Sequence, residues 1–105
     1  MGEYYDKDGR EMTLVEWGQS FEKRGMDYKR VAETTLPDGK WVSTVWMGLN
    51  HQYGDGPPLI FETMVFPNND DVGELDCDRY STLAEAEAGH AAMVAKWSAA
   101  EEAHR

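Results

Sequence analysis

Apolar and polar positions alternate along two central stretches of the chain, which predicts two β-strands. They cover residues 40–49 (KWVSTVWMGL) and 59–66 (LIFETMVF). A third stretch, residues 28–36 (YKRVAETTL), is rich in branched side chains, and the turn formers Pro37, Asp38 and Gly39 join it to the first. The pattern predicts an antiparallel meander of three strands, to which a short edge strand over residues 75–80 adds a fourth.

Two stretches with helical spacing flank these strands. Each opens with T-x-x-E, the pattern of a capping box. In this motif the threonine hydroxyl accepts a hydrogen bond from the glutamate backbone N–H, and the glutamate carboxylate accepts one from the threonine backbone N–H. The first helix is predicted over residues 13–24, with Leu14, Trp17 and Phe21 on its apolar stripe and Gly25 as its stop. The second opens at residue 82, and its apolar face contains Ala86, His90, Met93 and Trp97.

The order of these elements predicts one small α+β domain over residues 1–105. Its antiparallel sheet has three to four strands, and its two helices pack on one face. The composition agrees, because 105 residues with 41% apolar side chains suffice for one core. The tail, about residues 99–105, is expected to fray.

Large apolar side chains occur on both faces of the two central strands, and two short helices cover one face at most. Either the twisted sheet wraps its own loop, with Val72 and Leu75 beneath it, or a second subunit or another protein covers the outer face. Both explanations stay open. The residues predicted to bind a partner or ligand are two from the following loop, His51 and Tyr53, and four from the strands: Trp46, Ile60, Glu62 and Met64.

Charge and cysteine content narrow the classes of partner. Asp and Glu number 20 against 10 Lys and Arg, and a net charge of −10 disfavours direct binding to a phosphate backbone. A single cysteine allows no internal disulfide. The start of the chain is polar, and no apolar run reaches the roughly 20 residues that span a bilayer. The expected location is the cytoplasm, with no membrane contact.

Candidate catalytic and metal-binding residues are few. His90 follows Glu87 at E-x-x-H spacing, which occurs in dimetal bundles, but a single copy predicts a half-buried histidine that donates to a sheet carbonyl. Cys77 stands between Asp76 and Asp78, whose charges raise a thiol pKa and oppose reactivity.

The acidic stretch 68–78 lacks the EF-hand pattern, so no metal or cofactor is predicted. No catalytic motif is present either, so no catalytic residue is assigned. Glu62 in mid-strand is expected to pair with Arg30, Arg79 or another cation across the sheet, although a small enzyme using Glu62, His51 or His90 remains an alternative.

Four longer stretches carry a resemblance: YYDKDGREMTLVEW, TTLPDGKWVSTVWMGLNH, GPPLIFETMVF and RYSTLAEAEAGHAAMVAKW, within residues 4–97. Together they resemble an uncharacterised family of small proteins of actinobacterial phages, such as those of mycobacteria, and of related prophages. The resemblance implies no activity, cofactor or site residue. It implies a phage accessory protein that acts in the bacterial host cytoplasm, or a minor part of the particle.

These observations predict a non-enzymatic binding module that acts in host takeover or counter-defence. It would bind a host protein, form a homodimer or sequester a small ligand. The alternatives are a structural or assembly protein of the virion and the small enzyme described above.

Overall fold

The computed structural model describes residues 3–51, 56–68 and 73–103. Two helices and two antiparallel sheets give the α+β class, which confirms the prediction. The elements in chain order are β1 (Tyr4–Tyr5), β2 (Glu11–Met12), α1 (Leu14–Lys29), β3 (Arg30–Thr35), β4 (Trp41–Trp46), β5 (Phe61–Phe66), β6 (Asp76–Tyr80) and α2 (Leu83–Ala103).

The main sheet has four strands in sequence order, β3-β4-β5-β6, and every neighbouring pair is antiparallel. The predicted turn closes the first hairpin: the Leu36 N–H donates to the Lys40 carbonyl at 2.7 Å, and Gly39 takes a φ of 95°. The register places Thr44 opposite Thr63 in the two central strands. The sequence did not predict β2, which pairs with β1 in a separate hairpin.

Both predicted capping boxes are present. The Thr13 hydroxyl accepts the Glu16 N–H at 3.1 Å, and a Glu16 carboxylate oxygen accepts the Thr13 N–H at 3.0 Å. Thr82 and Glu85 repeat both bonds at 3.1 Å. The predicted end of the first helix was wrong, because α1 continues through Gly25 to Lys29. A glycine costs a helix only about 1 kcal/mol, so it need not stop one.

The second helix, α2, contacts all four strands of the main sheet. Its predicted apolar face is confirmed, since Ala86, His90 and Met93 are buried and Trp97 is partly buried. Beneath it lies a core cluster that Met93 forms with three other buried side chains, Leu36, Val42 and Val65. The fraying predicted for about residues 99–105 stays a prediction.

The first helix, α1, contacts β1 and β3. Its predicted stripe was wrong at Leu14, which is 59% exposed, and the side chain of Phe21 lies outside the described part of the chain. Leu75 is 45% exposed and therefore does not fold beneath the sheet, while Val72 lies outside the described residues. Within the described ranges, neither helix is long and apolar enough to cross a membrane.

Candidate functional site: an apolar cleft beside the first helix

The end of β4 differs from the predicted strand. The prediction continued it to residue 49, but the ladder ends at Trp46 and the backbone turns at Gly48, where φ is 71°. The turned segment pairs with the N-terminal hairpin, because the Tyr5 N–H donates to the Gly48 carbonyl at 2.7 Å. A single bridge between Tyr4 and Leu49 extends this pairing. The chain thus leaves the sheet beside α1.

Two indole rings meet at Gly48. A Cβ atom at this position would lie 2.6 Å from the Trp46 ring and 2.7 Å from the Trp17 ring, closer than side chains pack. The positive φ independently favours glycine. Gly48 is therefore the residue that lets the helix indole and the strand indole approach the backbone together.

Hydrogen bonds and ring contacts fix both indoles. The Trp17 Nε1–H donates to the Met47 carbonyl at 2.9 Å, and the Trp46 Nε1–H donates to the Tyr5 carbonyl at 3.0 Å. The Tyr4 ring lies 4.9 Å from Trp17, and the Tyr28 ring stands edge-on to Trp46 at 5.4 Å. Such aromatic pairs add about 0.5–1.5 kcal/mol each beyond their burial. The rings therefore form a rigid wall.

This wall bounds a cavity of about 280 Å³, which we call the apolar cleft. Val45 from β4 and Met47 and Leu49 from the turned segment contribute apolar surface. Lys29 at the end of α1 and His51 also border the cleft, whose exposed surface is almost entirely apolar. Among the described residues, the lining consists of Trp17, Lys29, Val45, Trp46, Met47, Leu49 and His51.

The predicted partner surface is not assembled as one exposed patch. Trp46 and Ile60 are each 1% exposed, because both belong to a buried cluster with Tyr5, Phe61 and Ala86. Trp46 also stands opposite Phe61 in the ladder, whereas Met64 stands opposite Ser43, so Trp46 and Met64 project from opposite faces of the sheet.

The two loop residues have different outcomes. His51 lines the apolar cleft, and its backbone N–H donates to the Leu59 carbonyl at 3.0 Å. Tyr53 lies outside the described residues. Five lining residues were not predicted to belong to a site: Trp17, Lys29, Val45, Met47 and Leu49. The sequence signal near them is the glycine at position 48, two residues after a tryptophan.

The buried carboxylate of Glu62 has the predicted structural partner. Its Oε2 accepts a hydrogen bond from the Arg79 Nε–H at 2.9 Å, across the β5–β6 pair. The other predicted partner, Arg30, forms an ion pair with Glu33 at 2.6 Å. Removing Arg79 would take this partner from a buried carboxylate, which should destabilise this part of the sheet.

His90 is held between strands by hydroxyl groups, and its predicted carbonyl partner was wrong. Its Nε2 lies 2.9 Å from the Thr34 hydroxyl and its Nδ1 lies 2.7 Å from the Thr44 hydroxyl. Thr44 in turn bonds Thr63 at 2.5 Å. His90 belongs to α2, and burial against the sheet lowers the pKa of its imidazole, because low solvent exposure disfavours the charged imidazolium.

Two residues of the alternative enzyme, Glu62 and His90, lie on opposite sides of the sheet. His90 of α2 bonds Thr44 on the face that α2 covers, whereas Glu62, one residue before Thr63, projects from the other face. The sheet therefore separates this carboxylate from this imidazole. Within the described ranges, no three metal-ligating side chains cluster.

Cys77 has a weakly acidic thiol. Burial, followed by the negative charge of Glu62, raises its pKa to about 11. The predicted direction is confirmed, but the largest causes are burial and Glu62, and not the flanking Asp76 and Asp78. A thiol with this pKa is almost entirely protonated at neutral pH and is a poor nucleophile.

Comparison of the chain with protein-family models, curated proteins and solved structures finds no match. The geometry of the apolar cleft is therefore the basis for a functional proposal.

Proposed function

We propose that the protein is a non-enzymatic binding module that takes up a small, mainly apolar molecule in the apolar cleft. The observation that carries this proposal is the preformed cavity of about 280 Å³ between α1 and the end of β4. Ligand pockets measure about 300–1,000 Å³ and are mainly apolar with a few polar groups. The cleft is slightly smaller than that range, which suits a molecule with one or two rings.

The fixed walls favour binding without prior rearrangement. Trp17 and Trp46 are each held by a hydrogen bond from the indole N–H to a backbone carbonyl, at 2.9 Å and 3.0 Å. A preorganised site avoids part of the entropy cost that binding imposes on a mobile one. A ligand of about ten non-hydrogen atoms is then expected to bind with a Kd in roughly the micromolar to millimolar range.

The small-ligand form of the proposal is preferred over a partner-protein form. The predicted partner surface depended on Trp46 and Ile60, and each is only 1% exposed. The cleft, in contrast, is an indentation that a compact molecule can fill. The resemblance to phage proteins supports a setting in which the module sequesters a metabolite of the bacterial host during takeover or counter-defence.

The proposal is tested by titrating ¹⁵N-labelled protein with indole, a neutral two-ring probe, and following backbone amide shifts by NMR. We expect saturable shifts centred on residues 45–51 and on Trp17. The Val45→Phe variant, which fills the cavity, should weaken indole binding by at least about tenfold, equivalent to about 1.4 kcal/mol.

The matched control is Val15→Phe, because Val15 lies on α1 and is 66% exposed. This variant should bind indole as the unaltered protein does. Thermal unfolding of both variants shows whether they are folded. Shifts that scatter over the surface, or equal indole binding by folded Val45→Phe, would refute the proposal.

A further inference from the structure

We propose that the outer edge of β6 binds an extended, basic segment of another protein, which adds to the main sheet as a fifth strand. Strand β6 is the last in the order β3-β4-β5-β6, so within the described ranges no strand pairs with its outer edge. An exposed strand edge is a template for pairing with another chain, and several peptide-binding domains use it in this way. Binding at this edge would be a further function, beyond the uptake of a small molecule in the apolar cleft.

Two residues of β6 direct their backbone groups to this edge. The Tyr80 carbonyl accepts the Ile60 N–H at 3.0 Å, so the backbone groups of Tyr80 face the β5 side and not the edge. Because successive residues of a strand direct these groups to opposite sides, those of Cys77 and Arg79 face outward. A strand added at this edge would meet them.

Side chains of β6 itself bind the outward N–H groups. The Cys77 N–H donates to the Asp76 carboxylate at 2.9 Å, and the Arg79 N–H donates to the Asp78 carboxylate at 2.9 Å. Each bond joins neighbouring residues, so a carbonyl oxygen of an added strand can replace the carboxylate while the backbone of β6 keeps its place. The displaced carboxylate then becomes available to a cation of the partner.

The opposite edge of the sheet is less regular. Strand β3 pairs with β4 with a register shift between Arg30 and Ala32, whereas β6 pairs with β5 in one register over all five of its residues. A bulge or irregularity at an edge discourages the pairing of a further strand. Of the two edges of the main sheet, that of β6 is therefore the better template.

A groove between β6 and α2 lies next to this edge. The groove, which we call the edge groove, measures about 300 Å³, and its borders include Asp76, Asp78 and Tyr80 of β6 and Ala92 and Lys96 of α2. Ala92 is exposed and carries only a methyl group, so α2 leaves room here for side chains of an added strand.

A second indentation borders the same strand. This outer indentation measures about 440 Å³, and its described lining contains no residue of α2. It includes Cys77 and Arg79, which stand opposite Met64 and Glu62 and so project from the face away from α2. Side chains of an added strand alternate between the two faces, so each indentation can receive every second one.

The charges at the two indentations favour a basic partner. Asp78 borders both of them, and Glu74 borders the outer indentation. Within the described ranges neither carboxylate has an ion-pair partner, whereas the two bordering cations, Lys96 and Arg79, already pair with carboxylates. Lys or Arg side chains of an added strand would complete the missing pairs.

A second copy of this chain fits the edge less well. Two β6 edges placed side by side would bring their own carboxylates together, and like charges on neighbouring strands destabilise the pairing. The net charge of −10 adds repulsion between copies. The expected occupant is therefore a segment of a different protein, extended in conformation and rich in Lys or Arg.

Three blocked six-residue peptides test the proposal. The first alternates lysine and valine, the second has glutamate in place of lysine, and the third is the lysine peptide N-methylated at every residue, which has no backbone N–H donor. Binding to ¹⁵N-labelled protein is followed by NMR at low ionic strength and pH 7. We expect the first peptide to bind at least about tenfold more tightly than either of the others. Amide shifts should centre on β6 and the facing side of α2, with slower hydrogen exchange at Cys77 and Arg79.

Two variants with matched controls locate the site. Asp78→Asn keeps an oxygen for the Arg79 N–H but removes the charge, and should weaken binding of the lysine peptide by about threefold. Its control is Glu87→Gln, which removes an exposed carboxylate of α2 outside both indentations. Ala92→Phe fills the edge groove and should weaken binding by at least about tenfold, whereas Ala91→Phe, at an exposed position outside the groove, should not. Thermal unfolding shows whether each variant is folded.

Several results would overturn the proposal. These are equal binding of the lysine and glutamate peptides, undiminished binding of the N-methylated peptide, and the absence of shifts at β6 with all three. Self-association through β6 without peptide, measured by light scattering, would make a second copy the occupant instead. The edge groove and the outer indentation share no lining residue with the apolar cleft, so indole titration tests the proposed function independently.

Discussion

The two helices start in the same way and pack differently. Both open with a threonine–glutamate capping box whose two backbone bonds measure 3.0–3.1 Å. Yet α2 contacts four strands, whereas α1 contacts β1 and β3 and leaves Leu14 and Val15 in solvent. A capping box thus determines where a helix begins, while the apolar stripe determines how much of it is buried.

Under the proposed function, this difference separates stability from binding within one small protein. The buried stripe of α2 completes the core above the main sheet through Ala86, His90 and Met93. The first helix supplies Trp17 and Lys29 to a cavity that its sparse packing leaves unfilled. We therefore expect substitutions in α2 to change the free energy of unfolding, and substitutions in α1 to act mainly on the cleft.

The largest contrast is expected from truncating one apolar side chain in each helix. Met93→Ala should lower the free energy of unfolding by about 2–4 kcal/mol, because Met93 is buried in the cluster with Val42 and Val65. Leu14→Ala removes an exposed side chain and should stay within about 0.5 kcal/mol. Urea unfolding of both variants measures the two values. Equal losses would show that α1 is as firmly packed as α2.

One glycine in each helix gives the next contrast, because substitution by alanine should change the free energy of unfolding in opposite directions at the two positions. A Cβ on Gly89 would overlap the Tyr80 ring, whereas one on Gly18 would meet open space. Gly89→Ala should therefore cost about 1–3 kcal/mol through overpacking. Gly18→Ala should stabilise the protein by about 0.5–1 kcal/mol through the better helix propensity of alanine. Thermal unfolding checks both signs, and stabilisation by Gly89→Ala would contradict the close contact with Tyr80.

Acid should weaken the α2 side of the molecule through His90. Burial holds the pKa of His90 below the ordinary value of 6.5, so the unfolded chain takes up this proton more readily than the folded one. The resulting stability is present above pH 6.5 and is lost as the pH falls from there towards the folded pKa. One proton contributes at most about 1.4 kcal/mol per pH unit over this window.

The control for this pH dependence is His90→Gln, which cannot take up the proton. The free energy of unfolding of both proteins is measured by urea between pH 5 and 8, and their difference isolates His90 from the carboxylates. His90→Gln should show a shallower loss below pH 6.5. Parallel curves would mean that the imidazole, only 7% exposed in the native protein, titrates alike in both states.

The sequence predicted the elements that local chemistry specifies. Alternating residues located the central strands, and the Pro37-Asp38-Gly39 turn fixed the hairpin of β3 and β4. The two capping boxes located both helix starts. The features that the sequence did not predict depend on tertiary contacts. Strand β2 is only two residues long and forms through its pairing with β1, and α1 continues past Gly25. Such short or permissive stretches carry weak local signals.

The site was predicted less well, because alternation assigns side chains to two faces without showing which face a helix covers. Trp46 and Ile60 were therefore placed on a partner surface although both are buried. The cleft itself forms where the chain turns at Gly48 and contacts α1. This contact is a tertiary one, and the hydrophobic periodicity of the sequence does not predict it. His51 was predicted as a ligand contact, and its side chain lines the cavity.

The smallest expected effect tests whether the two capping boxes, alike in geometry, contribute alike to stability. Thr82→Ala should lower the global free energy of unfolding by about 1 kcal/mol, because it removes the acceptor of the Glu85 N–H. Thr13→Ala should cost the same amount if α1 unfolds together with the core. It should also weaken indole binding, because α1 forms one wall of the cleft.

Urea unfolding gives the global free energies of unfolding, and native-state hydrogen exchange reports on each helix separately. The alternative outcome is that only Thr82→Ala lowers the global free energy of unfolding, while Thr13→Ala speeds hydrogen exchange in α1 alone. That outcome would show that α1 opens independently and that the cleft wall is less stable than the sheet beside it.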